Sequence, residues 1–244
     1  MKEKDLKIDS KKTILHETLI LKVQSNGLMA VEKPEGVLSH PNHKGIHKNA
    51  LLQFPYDSKN EIYITPEGPI YLLHRLDSAT SGVILLSKNK NLTDFIKTQF
   101  KEDKIQKTYY ALVFQKPPQS EGIWKDKLLT THINGKLRTK NDPRGYPSIT
   151  HFKQVQYFPK YGTTLLKLMP KTGRTHQLRV QCALHHVPII GDKTYGDFER
   201  NRIFEKQFNA PRLFLHAFSI SLKLPSGELF YAESPLPKEF NLTE

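Results

Sequence analysis

One cysteine, Cys182, stands in a chain of 244 residues. A single thiol excludes an intramolecular disulfide and any thiolate-rich zinc site. No run approaches the ~20 apolar residues that span a bilayer. The opening Met1-Lys2-Glu3-Lys4-Asp5 is charged and leads into no apolar stretch of the secretory kind. A cytoplasmic protein without membrane contact is the expectation. Also missing are a Gly-x-Ser-x-Gly elbow, a Walker-type loop and Gly-x-Gly-x-x-Gly. Nothing points to ATP, nicotinamide or flavin, so no cofactor is expected. Acidic residues are scarce: 24 Asp and Glu oppose 37 Lys and Arg, for a formal net charge of +13. Such a surface attracts polyanions through phosphate contacts and counterion release, although charge alone names no partner.

Metal chemistry has one opening among the eleven histidines, the spacing His40-x2-His43-x3-His47. Pro41 and Gly45 interrupt that segment, and no carboxylate lies near to act as third ligand or orienter. His16-Glu17 begins like a zinc-protease helix but lacks the second histidine. No metal is expected.

Patterning predicts many strands and few helices. Strands are read at residues 28–32, 70–76, 83–87, 108–114, 149–157, 163–169, 213–224 and 229–232. Leu92, Phe95, Ile96 and Phe100 recur on one helical face, which predicts a helix over 92–102. A second is read at 175–185, after the turn Thr172-Gly173, and a short one at 49–54. Between Gln115 and Pro147 the mix of Pro, Gly, Lys and Thr predicts long hairpins or loops in solvent. Without strict βαβ alternation, an α+β fold on a largely antiparallel sheet follows. Residues 1–24 read as an N-terminal extension with a short apolar run at 18–23, and residues 25–240 as the main domain.

The most particular stretch is His74-Arg75-Leu76-Asp77-Ser78-Ala79-Thr80-Ser81-Gly82, which sets one carboxylate beside an arginine on a small polar turn between strand-like runs. An Asp in a turn ordinarily hydrogen-bonds only its own backbone. Four further segments accompany it in order: Lys33-Pro34-Glu35-Gly36 with His40-Pro41, then Lys107-Thr108-Tyr109. Next comes Arg174-Thr175-His176-Gln177-Leu178-Arg179-Val180, running on to Pro188-Ile189-Ile190-Gly191-Asp192-Lys193-Thr194-Tyr195-Gly196, and last Pro211-Arg212-Leu213-Phe214-Leu215-His216. Together they resemble the RluA-type pseudouridine synthases, over about Leu28 to Pro237. Two departures stand out: Gln181 replaces the usual histidine after Arg-Val, and His186 replaces the glycine that closes the helix.

The resemblance implies a central, mostly antiparallel mixed sheet of two halves, flanking helices and an active-site cleft between the halves. It implies the isomerisation of specific uridines to pseudouridine in structured RNA, ribosomal or transfer. That reaction breaks the bond from ribose C1′ to uracil N1, turns the base and rejoins it through C5. It consumes no electrons, phosphate or water. A hydrolytic glycosidase needs two carboxylates; here one, Asp77, is implied as the essential catalytic group. Arg179 is implied as its cationic partner and Tyr109 as the ring that stacks on uracil. Arg75, His74, Arg174, His176 and Lys33 are the expected RNA-binding residues, Arg75 by taking the place of the extruded nucleotide. Relatives often carry an extra N-terminal RNA-binding domain of the S4 type, for which the residues before the first motif are too few. Recognition is therefore expected from the catalytic domain of a monomer, above all from Lys125, Lys127, Lys136, Arg138, Lys140 and Arg144. The alternative is an RNA-binding or RNA-folding protein that keeps the fold without catalysis, against which the intact Asp77, Tyr109 and Arg179 argue.

Overall fold

Val83-Ile84-Leu85-Leu86 is apolar at every position, the pattern of a strand covered on both faces. In the computed structural model, which describes residues 19–41 and 48–242, it forms β6 (Ser81–Ser87), buried along its whole length. One edge of β6 carries β2 (Leu28–Lys33) antiparallel, from Leu28↔Ser87 to Lys33↔Gly82, with β1 (Ile20–Val23) outside it. The other edge is shared. β5 (Gly68–Leu72) pairs with it only at Tyr71↔Ser87 and Leu72↔Leu86. β12 (Leu215–Lys223) then takes over in parallel at His216↔Ser81 and Ala217↔Gly82. Residues 73–80 leave the sheet where one neighbour gives way to the other.

Beyond β5 the sheet extends through β4 (Ile62–Thr65) to β3 (Tyr56–Asp57). From β12 it runs through β7 (Gln106–Phe114), β11 (Thr163–Pro170), β10 (Tyr146–Phe158) and β8 (Glu121–Ile133) to β9 (Lys136–Asn141). β13 (Leu229–Glu233) pairs with the far part of β12. Among these pairings the β6–β12 contact is the parallel one, so the sheet is mixed and mostly antiparallel, as the pattern implied.

Two hydrophobic clusters flank that junction. The first packs β2, β5 and β6 against α1 (Lys90–Lys101) through Leu92 and Ile96. Asn89 starts α1 by accepting the Leu92 N–H, the usual task of an N-cap side chain. The second gathers β7, β11, α2 (Gln177–Leu184) and α3 (Phe198–Phe208) around Leu166, Leu178, Phe204 and Phe214. Tyr109 packs against both clusters. No helix among the described residues is long and apolar enough to cross a membrane.

The parallel contact depends on a glycine. Gly82 has φ +117, and a Cβ there would lie 2.2 Å from the Ala217 carbonyl oxygen. Neither strand can retreat without tearing its other pairing. Gly82→Ala is expected to cost about 2–3 kcal/mol, from the strained φ and the forced overlap together. Urea denaturation measures it, and a cost under about 0.5 kcal/mol would show that the junction yields.

Three readings of the sequence need correction. The strand expected at 70–76 ends at Leu72. Beyond it a side chain serves the backbone, for Ser39 Oγ accepts the Leu76 N–H at 3.0 Å and donates to the Leu76 carbonyl at 2.8 Å. Residues 49–54 form no helix; turns and a parallel bridge Leu38↔Ala50 bury Leu51 and Leu52 instead. α3 was not expected, because of its apolar residues Phe204 alone is buried while Phe198 and Ile203 face solvent. Its boundary signals were there to read: Asp197 caps the start and Asn209, in the left-handed region, ends it. The stretch 115–147 does contain the expected long hairpin, β8–β9.

Candidate active site

Asp77 stands on the loop 73–80, and the loop is held from below. The ammonium of Lys33, fully buried, donates to the carbonyls of Pro34 at 2.7 Å, Val37 at 2.8 Å and Ser78 at 2.9 Å. Burial pulls its pKa down to about 7, while the charges of Glu35 and Asp77 resist. Gly36 N–H also donates to the Ser78 carbonyl, and Thr80 N–H closes a turn onto the Asp77 carbonyl. His74 Nε2 accepts the Leu85 N–H at 3.0 Å and its ring lies on Phe100. Burial, then the charge of Lys107, keep His74 neutral, with a pKa of about 3. The carboxylate thus sits on a braced turn with its oxygens free to face the cleft.

Arg179 meets it from α2. Nη1 donates to Asp77 Oδ2 at 3.0 Å, while Nε and Nη2 form a bidentate pair with Asp192, each at 2.8 Å. Burial opposes the Arg179 charge, but the bonds to Asp192 and the charges of Asp192 and Asp77 outweigh it and raise its pKa. Burial works against the Asp192 carboxylate too, and the Arg179 bonds with the Thr194 and Tyr195 N–H groups hold it well below the usual range. A planar guanidinium shared in this way cannot swing away. The Tyr195 ring lies beneath it, 5.3 Å from the guanidinium carbon.

His176 adds a second approach to Asp77. It caps α2 with φ 55, and Nε2 lies 3.7 Å from Asp77 Oδ2. Tyr195 Oη accepts the Thr139 N–H at 2.9 Å, which leaves its own proton for His176 Nδ1 at 2.8 Å. The remaining ring proton then belongs on Nε2, toward Asp77. Burial lowers the His176 pKa, against the pull of Asp77. Because Thr139 lies on β9, this chain also ties the hairpin to the rim of the site.

Tyr109, from β7, faces the same space; burial and then Asp77 push its phenol pKa up. Two adjoining cavities, of about 120 and 530 Å³, share Asp77, Tyr109, Arg179, Arg75, Arg174 and His176. The larger is of the size that holds a small organic group. Arg75 and Arg174 are exposed at its border, Arg174 stacked over Tyr146 at 5.6 Å. The cleft is cationic at the rim and holds one acid at its floor.

Comparison with known proteins settles the class. A family described as RNA pseudouridylate synthase matches residues 27–184. The chain belongs to that family. A ribosomal large subunit pseudouridine synthase C from Buchnera aphidicola (Baizongia pistaciae strain) is 34% identical, over 91% of this chain and 68% of that protein. The same-named protein of Vibrio vulnificus is 35% identical over 79% of this chain and 59% of its own length. A tRNA pseudouridine synthase C of Pectobacterium carotovorum is 33% identical over 84% of this chain and 56% of its own length. The chain therefore spans between about half and two thirds of these relatives. In fold it resembles human RNA pseudouridylate synthase domain containing 4, with a TM-score of 0.69 over 91% of this chain and 90% of that one, at 24% identity. As a family member it is an RNA pseudouridine synthase of the α+β fold.

Of the site residues expected in such a synthase, the structure gathers Asp77, Tyr109, Arg179, Arg75, His74, Arg174 and His176 around one cleft. Lys33 is the exception. With its ammonium buried and all three protons on carbonyls, it braces the loop and offers nothing to RNA. His43 and His47 lie outside the described residues. His40 stacks on Tyr56 and meets Arg75 Nη1 at 3.5 Å. The reading of the motifs gave no role to Asp192, Tyr195 or Lys107, although it contained all three. Both departures are accommodated. Gln181 is buried and bonds Asp126, Ser148 and Thr150, and His186 takes φ 60, where glycine would sit unstrained.

Proposed function

We propose that this chain isomerises uridines in ribosomal or transfer RNA, with Asp77 as the reacting carboxylate. The observation that carries the reading is the fixed pair of Asp77 and Arg179 at 3.0 Å on the floor of a cleft rimmed by Arg75 and Arg174. Names of the relatives support both RNA classes.

The chemistry follows from the geometry. A target uridine reaches a floor this deep only when turned out of its stack, at a cost of a few kcal/mol that a loop or bulge reduces. Arg75 fills the place it leaves. The uracil lies on Tyr109, whose phenol keeps its proton and so acts as ring and O–H donor. Asp77 acts on the sugar or base, Arg179 holding its charge. The detached base is kept in the closed floor and rejoined through C5. No cofactor takes part. Of the hairpin cations, Lys125 and Lys127 are exposed and serve RNA binding, whereas Arg144 forks onto Asp142 and Lys140 lies 3.3 Å from the same carboxylate. Residues 25–240 form the catalytic domain of a cytoplasmic monomer.

The test is a pseudouridine map of total RNA from cells with and without the gene, read by carbodiimide-based primer extension. Loss of one or a few discrete sites, restored by the intact gene and not by its Asp77→Ala form, is the expected result. An unchanged map at adequate depth would overturn the reading.

A further inference from the structure

Two lysines stand near Asp77, Lys33 fully buried and Lys107 half-buried, and they are partnered in opposite ways. Lys33 spends all three ammonium protons on carbonyls between 2.7 and 2.9 Å away. The Lys107 ammonium makes one hydrogen bond among the described residues, to the Thr172 carbonyl, and at 3.4 Å it is a long one. No described carboxylate lies within ion-pair distance of it. A half-buried ammonium with two idle protons is costly unless something else supplies acceptors.

Its position says where those acceptors would lie. Lys107 and Tyr109 are two residues apart on β7, so their side chains leave the same face of the sheet, about 7 Å apart. Both line both cavities. β7 is buried from Ala111 onward and opens toward Gln106, which places Lys107 on the outward side of Tyr109. The wall opposite is Gly173: a Cβ built there would stand 3.6 Å from the Lys107 ammonium. A uracil lying on Tyr109 would therefore extend its ribose and phosphate outward past Lys107. Arg174, next along from Gly173, supplies the second charge at that opening.

We infer that Lys107 is a substrate-positioning cation that grips a backbone phosphate of the uridine lodged on Tyr109. The inference rests on the pseudouridine synthase reading and adds a subsite to it. Burial, followed by the charge of Arg174, lowers the Lys107 pKa, and Asp103 only partly opposes this. An arriving phosphate reverses that balance, so the ammonium is charged most firmly when RNA is bound. Phosphate contacts fix register rather than sequence. Lys107 would thus hold whichever uridine enters, leaving choice of site to the rim.

The experiment uses bacterial large-subunit ribosomal RNA and bulk transfer RNA transcribed with tritium at uridine C5. Tritium release reports turnover, and filter binding across a salt series reports affinity. Lys107→Met keeps the length and apolar contacts of the side chain. It is expected to raise KM about tenfold or more with kcat within about threefold. The slope of log affinity against log salt should become shallower by about 0.7–1. Lys107→Arg should restore the slope and most of KM, which a role confined to packing would not produce. A loss in kcat with KM and salt slope unchanged would overturn the phosphate assignment in favour of contact with the base. Unchanged kinetics in Lys107→Met, with wild-type melting temperature, would remove Lys107 from the site. Failure of the wild-type protein to release tritium from either RNA would instead sink the synthase reading itself.

Discussion

Asp77→Asn is expected to lower turnover by about four orders of magnitude or more while RNA affinity stays within about threefold of the parent. The fold does not depend on this carboxylate. The turn that carries it is held through backbone carbonyls and amides, by Lys33 at Ser78, by Ser39 at Leu76 and by His74 at Leu85. Arg179 keeps both of its bonds to Asp192 when the Asp77 charge is gone, so no buried cation is stranded. Asparagine is isosteric and its amide oxygen still accepts from Arg179 Nη1. What it lacks is the negative charge needed to attack the sugar or base or to take a ribose proton. On the proposed reading affinity comes from cations at the rim, and removing an acid from a cleft that would receive phosphates weakens nothing there. Tritium release and filter binding on the same RNA separate the two quantities. Turnover within tenfold of the parent would take Asp77 out of the mechanism. A parallel collapse of affinity or melting temperature would show that it serves structure.

Asp77 was legible for a reason that does not extend to its supports. The turn, the arginine beside it and the apolar run behind it lie within one short segment, so local pattern and motif coincide. Arg179 and Tyr109 come from segments that read clearly on their own, a helix after Thr172-Gly173 and a strand after Lys107. The strands that were read lie within a few residues of those observed, since a run such as Val83 to Leu86 in β6 is apolar without a break and its burial is decided by local sequence, whereas the short β3 and β4 were not read. Partnership was harder. Asp192 reads as one acid in a Gly-Asp turn, and only folding brings it against Arg179 across the start of α2. Lys33 and Lys107 look alike in sequence, each opening a motif. Their difference arises in three dimensions, where one is closed over by residues 34–37 and 78 and the other faces the cleft. The end of β5 was misjudged for a similar cause. Leu73, Leu76 and their neighbours have strand character, but β12, remote in sequence, occupies the edge of β6 they would have used. An edge taken by a distant strand leaves no trace in the local pattern.

The same junction makes the protein sensitive to acid. Two neutral histidines brace it. His216, fully buried, donates from Nε2 to the Ser234 carbonyl at 3.1 Å and accepts at Nδ1 from Ser81 Oγ at 2.9 Å. Ser81 Oγ in turn accepts from Arg212 at 2.6 Å, so a second ring proton on His216 would face a hydroxyl already engaged by a cation. Burial lowers the His216 pKa to about 4, opposed by the Ser234 bond and aided by Arg212. His74 is lowered to about 3. Each therefore takes up its proton more readily unfolded, where histidine titrates near 6.5. The sign follows. Above pH ~6.5 neither state is protonated and the stability is fully present. As pH falls toward the folded values the unfolded chain binds protons that the native one refuses, and stability is lost. At pH 5 each histidine contributes a loss of about 2 kcal/mol, so unfolding free energy should drop by about 4 kcal/mol between pH 7.5 and 5. His176, lowered in the same direction, adds to it. Urea denaturation at pH 7.5, 6 and 5 measures the slope, and His216→Gln should reduce it by close to one proton. A stability flat across that range would mean that both rings become charged in place.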